Sequence, residues 1–61
     1  MTYLVRKERL DHTVVDRFLA MDMASAERKC QEYLPGVKLS AGKHFRIGTQ
    51  ENFQVTVLSQ A

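Results

Sequence analysis

The spacing of the apolar residues changes at Pro35-Gly36, and this change limits the choice of fold more than any other feature. Before it, apolar residues recur every three or four positions, as on one helix face: Met23, Ala26, Cys30, Tyr33 and Leu34. Asp22 precedes this stripe, and its carboxylate can accept hydrogen bonds from the free N–H groups of a first helical turn. Pro35 disfavours helical geometry at the preceding residue, and Gly36 tolerates a left-handed turn. The sequence therefore predicts a helix over 23–33.

Beyond this break, apolar and polar residues alternate, which is typical of strands with one buried face. Three alternating runs are separated by two turns, predicted at 41–43 and 48–52. The side chains predicted to face the helix are Val37, Leu39, Phe45, Ile47, Phe53, Val55 and Val57. The pattern indicates a three-strand antiparallel meander whose apolar face packs against the helix.

The first twenty residues allow two interpretations. The β-branched and aromatic residues in 3–5 and 13–19 favour two strands joined by a turn at 10–12. This predicts an α+β fold, with a single helix packed on a small antiparallel sheet in the order ββαβββ. Asp16 or Arg17 must then face inward or lie on an edge. The alternative takes Asp11 as the N-cap of a second helix over 12–20, which gives a winged helix-turn-helix.

The length of 61 residues predicts a single domain over residues 1–61. A chain of this size buries only about 60 % of the surface that it exposes when unfolded, so a partner or a second copy would stabilise it. It is also hardly large enough to enclose a pocket of the roughly 300 Å³ that small-molecule sites need. Because no catalytic motif is present either, we expect a protein that is not an enzyme.

Charge and cysteine content point to a cytoplasmic protein. The formal net charge is +2, from nine Lys or Arg and seven Asp or Glu residues spread evenly along the chain. Nucleic-acid binding is therefore permitted but not required. Cys30 has no second cysteine with which to form a disulfide, whereas a small secreted domain normally carries several. No apolar stretch approaches the roughly 20 residues that span a bilayer, so no membrane association is expected.

The candidate ligands for a metal ion are His12, Cys30 and His44, and no two of them are close in the sequence. A structural zinc site takes four ligands, usually in close pairs. Cys30 also lies on the apolar stripe of the predicted helix, which favours a buried side chain. We therefore expect no metal site, no cofactor and no catalytic residue.

The functional prediction depends on the basic residues. If the alternating apolar side chains face the helix, the cations between them share the opposite face of the sheet. Such a surface can contact phosphates or an acidic protein, and two helix cations join it if the helix enters a major groove. These predicted binding residues, called the basic set below, are Lys38, Lys43, His44, Arg46, Arg28 and Lys29.

The run 18–22, the helix that contains Ala26, and the run 33–39 resemble the strand–cap–helix–strand layout of small phage-encoded inhibitors of host RNA polymerase. The resemblance covers 22 of the 61 residues and includes no catalytic motif. It implies a compact module that binds a host protein in the bacterial cytoplasm and blocks it. The strand predicted after Ile47 departs from this layout.

The same stretch also resembles the winged helix of excisionase and MerR-like DNA-binding proteins. In that resemblance Asp22 caps the recognition helix and residues 38–46 form the wing, which implies binding to DNA. The alternation over 53–57 departs from the family, whose wing is followed by a helix.

We therefore expect a small regulator or inhibitor that binds a host protein, with a DNA-binding winged-helix protein as the alternative. Unpaired sheet edges also allow a homodimer or the addition of a partner strand. Leu58 and Tyr3 are the residues predicted to lie in such a seam.

Overall fold

The computed structural model describes residues 2–42 and 45–60 of the chain. Its elements in chain order are β1 (Thr2–Arg9), β2 (Val14–Ala20), α1 (Met23–Tyr33), β3 (Ser40–Ala41), β4 (Phe45–Gln50) and β5 (Phe53–Gln60). The strands form one antiparallel sheet in the order β2-β1-β5-β4-β3, and α1 packs on one of its faces. The predicted α+β fold and its ββαβββ order are confirmed.

The helix has the predicted limits. Asp22 is extended, with φ −150° and ψ 169°, and its carboxylate accepts a hydrogen bond of 2.7 Å from the Ser25 N–H. Leu34 leaves helical geometry immediately before Pro35. Ala26 and Cys30 are completely buried against the sheet, so the interpretation of Cys30 as a core residue is confirmed.

The second helix of the winged helix-turn-helix alternative is wrong, because residues 14–20 form strand β2. A short loop returns the chain from β1, with the His12 N–H donating to the Arg9 carbonyl at 2.9 Å. His12 has a φ of 73°, as expected when a type I turn is followed by one left-handed residue in a hairpin loop. Asp11 supports the loop by accepting a hydrogen bond of 3.0 Å from the Thr13 N–H.

The centre of the sheet is the pairing of β1 with β5, which runs from Thr2 opposite Gln60 to Arg9 opposite Phe53. This pairing joins the amino-terminal hairpin to the carboxyl-terminal meander and leaves β2 and β3 at the two edges. The core lies between α1 and the central strands and consists of Val5, Ala20, Ala26, Cys30, Leu34, Val37, Val55 and Val57.

The predicted facing of β4 is wrong. Residues directly opposite each other in antiparallel strands point to the same side. Arg46 is opposite Val57 on the helix side, whereas Ile47 is opposite Thr56 on the side that carries no helix. The corresponding prediction for the Phe45 side chain lies outside what the structure describes.

The segment 37–39 was expected to be a strand, but β3 contains only Ser40 and Ala41. Val37 instead enters the core, with 5 % of its surface exposed, and the segment crosses over Gly48 of β4. Gly48 was expected in a turn. It lies within β4, and the turn that follows contains only Glu51 and Asn52.

Candidate interaction surface at the edge strand

The described members of the basic set do not lie on one surface. Arg46 faces the helix, where its guanidinium donates to the carboxylate of Glu27 in an ion pair. Lys38 is exposed on the segment that crosses β4. The expectation that Arg46 shares the outer sheet face with Lys38 is therefore wrong, and Lys43 and His44 lie outside the described residues.

The two helix cations of the basic set have different surroundings. Lys29 is held between two rings, with its Nζ 4.9 Å from the centre of Phe18 and 5.1 Å from that of Tyr33. Arg28 is exposed. It lines an open groove of about 540 Å³ between α1 and the segment that crosses β4, together with the Glu27–Arg46 pair. Because that pair neutralises its own charges, the groove offers only Arg28 as an uncompensated cation among its described lining residues.

A different feature distinguishes the surface. All six large apolar side chains that are exposed in the described part of the chain fall within residues 10–21. They are Leu10, Val14, Val15, Phe18, Leu19 and Met21, and we call them the edge surface. Their exposed fractions range from 39 % for Phe18 to 73 % for Met21. Because concentrated apolar exposure is typical of interaction sites, the edge surface is the candidate site.

The edge surface coincides with β2, which pairs with β1 on one side only. Phe18 is opposite Val5 and therefore lies on the helix side, whereas Leu19 is opposite Leu4 on the other side. The register shifts between Lys7 and Glu8 of β1, which leaves Val15 as the extra residue of a bulge. Bulges twist an edge and limit indiscriminate pairing with other strands.

Asp16 and Arg17 occupy the middle of this edge. The Asp16 carboxylate accepts a hydrogen bond of 2.8 Å from the Arg17 N–H. It also lies beside the Tyr33 hydroxyl; burial and then the negative charge of Asp16 raise the pKa of Tyr33. Asp16 thus accepts the hydrogen bond of the Arg17 N–H, a backbone donor that an added strand would use.

The sheet face without a helix contains a polar cluster around Glu8, which is 3 % exposed. Its carboxylate accepts a hydrogen bond of 2.7 Å from Gln54 Nε2 and lies 3.1 Å from Arg6 Nε. The Thr56 hydroxyl lies 3.5 Å from the second oxygen. Because both oxygens are engaged by residues of β1 and β5, Glu8 links the two central strands.

Cys30 is not a reactive thiol. Burial, assisted by the charge of Glu27, raises the pKa of the Cys30 thiol to about 11, so it stays protonated at neutral pH. Within residues 2–42 and 45–60, no group of three or more His, Cys, Asp or Glu side chains is placed to hold a metal ion. Over the same residues, no helix is long and apolar enough to cross a bilayer.

Sequence reasoning placed the seam on the wrong strands, since Tyr3 and Leu58 belong to the central strands β1 and β5. The signal for the edge was nevertheless present. Asp16 and Arg17 interrupt an apolar run, and such a pair must lie inward or on an edge. The structure places both at the edge.

Comparison with known proteins finds no matching family model, no matching curated protein and no matching solved structure.

Proposed function

We propose that this protein is a non-enzymatic interaction module that binds a protein partner by adding the partner's extended segment to β2. The observation that carries the proposal is the confinement of the exposed large apolar side chains of the described residues to 10–21, on and beside a strand that is paired on one side only. An open strand edge supplies backbone hydrogen bonds, and the side chains beside it supply selectivity.

The energetics favour a covered edge. Full burial of a Val, Leu or Phe side chain is worth about 1.5–3 kcal/mol, and Leu19 is still 56 % exposed. A partner strand would remove this exposure and stabilise a small domain at the same time.

Other functions have less support. The only cysteine is a core residue with a raised pKa, so its thiol is not an activated nucleophile. A nucleic-acid partner would need several free cations on one surface, whereas Arg46 is paired with Glu27 on the helix side of the sheet and Lys29 lies against two rings. A regulator or inhibitor of phage or bacterial type is the narrower form of the proposal, and it is supported by the sequence resemblance alone.

The test is an unbiased selection of random eight-residue peptides on the immobilised full-length chain. Enriched peptides are then titrated into ¹⁵N-labelled protein, and the shifted amides are mapped. We expect shifts concentrated in 14–20 and peptides with alternating apolar residues. Peptides that shift only the groove beside Arg28 would contradict the proposal.

A pair of variants provides the control. Leu19→Lys adds a charge to the edge, and Thr49→Lys adds the same charge to an exposed residue of β4. Binding of the enriched peptides should be lost in the first variant and kept in the second. Equal binding by both variants would refute the use of β2.

A further inference from the structure

We infer that the strand added to β2 belongs to a different protein and carries an acidic side chain opposite Arg17, because the charges of this edge disfavour a second copy of the chain. The inference depends on the proposed function, since it specifies the occupant of the same edge. It rests on the positions of Asp16 and Arg17 and on the symmetry that a dimer would need.

Two copies joined by antiparallel β2 strands must be related by a two-fold axis. Opposite residues share a face of the sheet, so this axis passes through one residue of β2. An axis at Asp16 places two carboxylates opposite each other, and an axis at Arg17 does the same to two guanidinium groups. Like charges directly opposite each other destabilise a strand pair. The centred register, with its axis at Arg17, and the register with its axis at Asp16 are therefore both unfavourable.

Shifted registers do not solve the problem. An axis at Phe18 restricts pairing within β2 to residues 16–20 and places Arg17 opposite an apolar Leu19. An axis at Val15 puts the bulge at the centre of the interface. A partner with a different sequence avoids each of these arrangements.

The surroundings of Arg17 indicate what that partner supplies. The residue opposite Arg17 in β1 is Arg6, whose guanidinium already lies 3.1 Å from the Glu8 carboxylate. Within residues 2–42 and 45–60, Arg17 takes part in no ion pair. A carboxylate opposite Arg17 would give this residue the kind of partner that Glu8 already gives Arg6.

Asp16 determines what the incoming strand must displace. It occupies the Arg17 N–H at 2.8 Å, so a partner carbonyl has to replace its carboxylate there. The recognised segment is therefore an extended strand with an acidic residue opposite Arg17. The next residue is basic or polar and lies opposite Asp16. The residues two positions before and after the acidic one are apolar.

The test uses a synthetic peptide of this pattern, Thr-Val-Tyr-Glu-Lys-Ile-Val-Thr, which in the antiparallel direction places its glutamate opposite Arg17. The matched peptide replaces that glutamate by lysine. Affinities of the full-length protein are measured by titration calorimetry, and the bound site is mapped by amide shifts. We expect the lysine peptide to bind about 3- to 10-fold more weakly.

The charge swap gives the decisive comparison. Arg17→Glu should reverse the preference and bind the lysine peptide better, whereas Arg28→Glu, which makes the same change in net charge on α1, should leave the order unchanged. Sedimentation equilibrium should show a monomer. A dimer that Leu19→Lys abolishes and Thr49→Lys does not would overturn the exclusion of a second copy.

The two proposals fail in different ways. Binding at β2 with no dependence on the charge of residue 17 overturns this inference and leaves strand addition intact. Failure of both synthetic peptides, with β2 binders recovered from the random library, overturns it equally. The proposed function itself would be contradicted if the unbiased selection yielded no peptide that binds at β2.

Discussion

Gly48 lies directly beneath Val37: a Cβ atom added to the glycine would stand 2.7 Å from the Val37 Cγ2. The same atom would also lie 2.9 Å from the Lys38 carbonyl oxygen. The methyl group could be accommodated only by moving backbone, and Val37 would be drawn out of the core. The crossing segment can therefore approach β4 only because residue 48 has no side chain.

We expect Gly48→Ala to lower the free energy of unfolding by about 1–3 kcal/mol, which is the usual cost of overpacking. Urea denaturation followed by circular dichroism measures the change. Thr49→Ala, at the next and exposed position of β4, is the control and should differ from the natural protein by no more than about 0.5 kcal/mol. Equal stability of the two variants would show that the segment adapts to the added methyl group.

The side chain of Gln31 ties the end of α1 to the segment that follows. Its Nε2 donates to the Val37 carbonyl at 2.8 Å, and its Oε1 accepts from the Gly36 N–H at 2.9 Å. Gln31→Ala should destabilise the protein by about 1–2 kcal/mol, because it removes both hydrogen bonds. Arg28→Ala on the exposed part of the same helix is the control. Similar unfolding midpoints for both variants would assign Gln31 no structural role.

Glu51 opens the two-residue loop between β4 and β5 with a φ of 56°. A left-handed conformation costs a residue with a side chain about 1–2 kcal/mol, and glycine avoids this cost. Glycine also gives the unfolded chain more conformational entropy, which offsets part of this gain. Glu51→Gly should therefore raise the free energy of unfolding by roughly 0.5–1 kcal/mol. Asn52→Gly, at a position without a positive φ, should give no gain. Thermal unfolding of both variants distinguishes the two cases.

The capping carboxylate of Asp22 should make the protein less stable in acid. The hydrogen bond from the Ser25 N–H lowers the pKa of Asp22 below its usual value of 3.8, so folding favours the ionised form. The stabilisation is present above about pH 4 and disappears as the pH falls through the folded-state pKa. Asp11 behaves in the same way through its hydrogen bond from Thr13.

Asp22→Asn keeps a capping side chain without a titrating group. The melting temperature of this variant should fall less between pH 6 and pH 2.5 than that of the natural protein. Asp22→Ala should be less stable than Asp22→Asn at pH 6, since it has no cap. An unchanged pH dependence in Asp22→Asn would contradict the role assigned to the carboxylate.

Structural features that are set by residues close together in the chain could be predicted from the sequence. Asp22 and Pro35 limit the helix through bonds and steric contacts made within four residues of each end. The choice between strand and helix over 14–20 could not be made in this way, because its β-branched residues and its helical spacing gave conflicting local signals. Pairing with β1 decides it.

Contacts between distant parts of the chain decided which face of the sheet each side chain of β4 occupies and where each strand lies in the sheet. Alternation in β4 identifies two sets of side chains but not which set is buried, since a shift of one residue exchanges them. The pairing of Gly48 with Val55, together with the approach of Val37, selects the face. For this reason Arg46 lies on the helix side and not, as predicted, on the outer face of the sheet.

The sequence by itself determined the limits of α1. It also favoured the ββαβββ order, in which Asp16 or Arg17 must lie inward or on an edge. Only the tertiary structure decided that they lie on an edge, because the neighbours of β2 depend on β1 pairing with β5 near the other end of the chain. Local preference acts through bonds within one turn or one strand. The exposed edge results from a contact between residues more than forty positions apart, which no local pattern specifies.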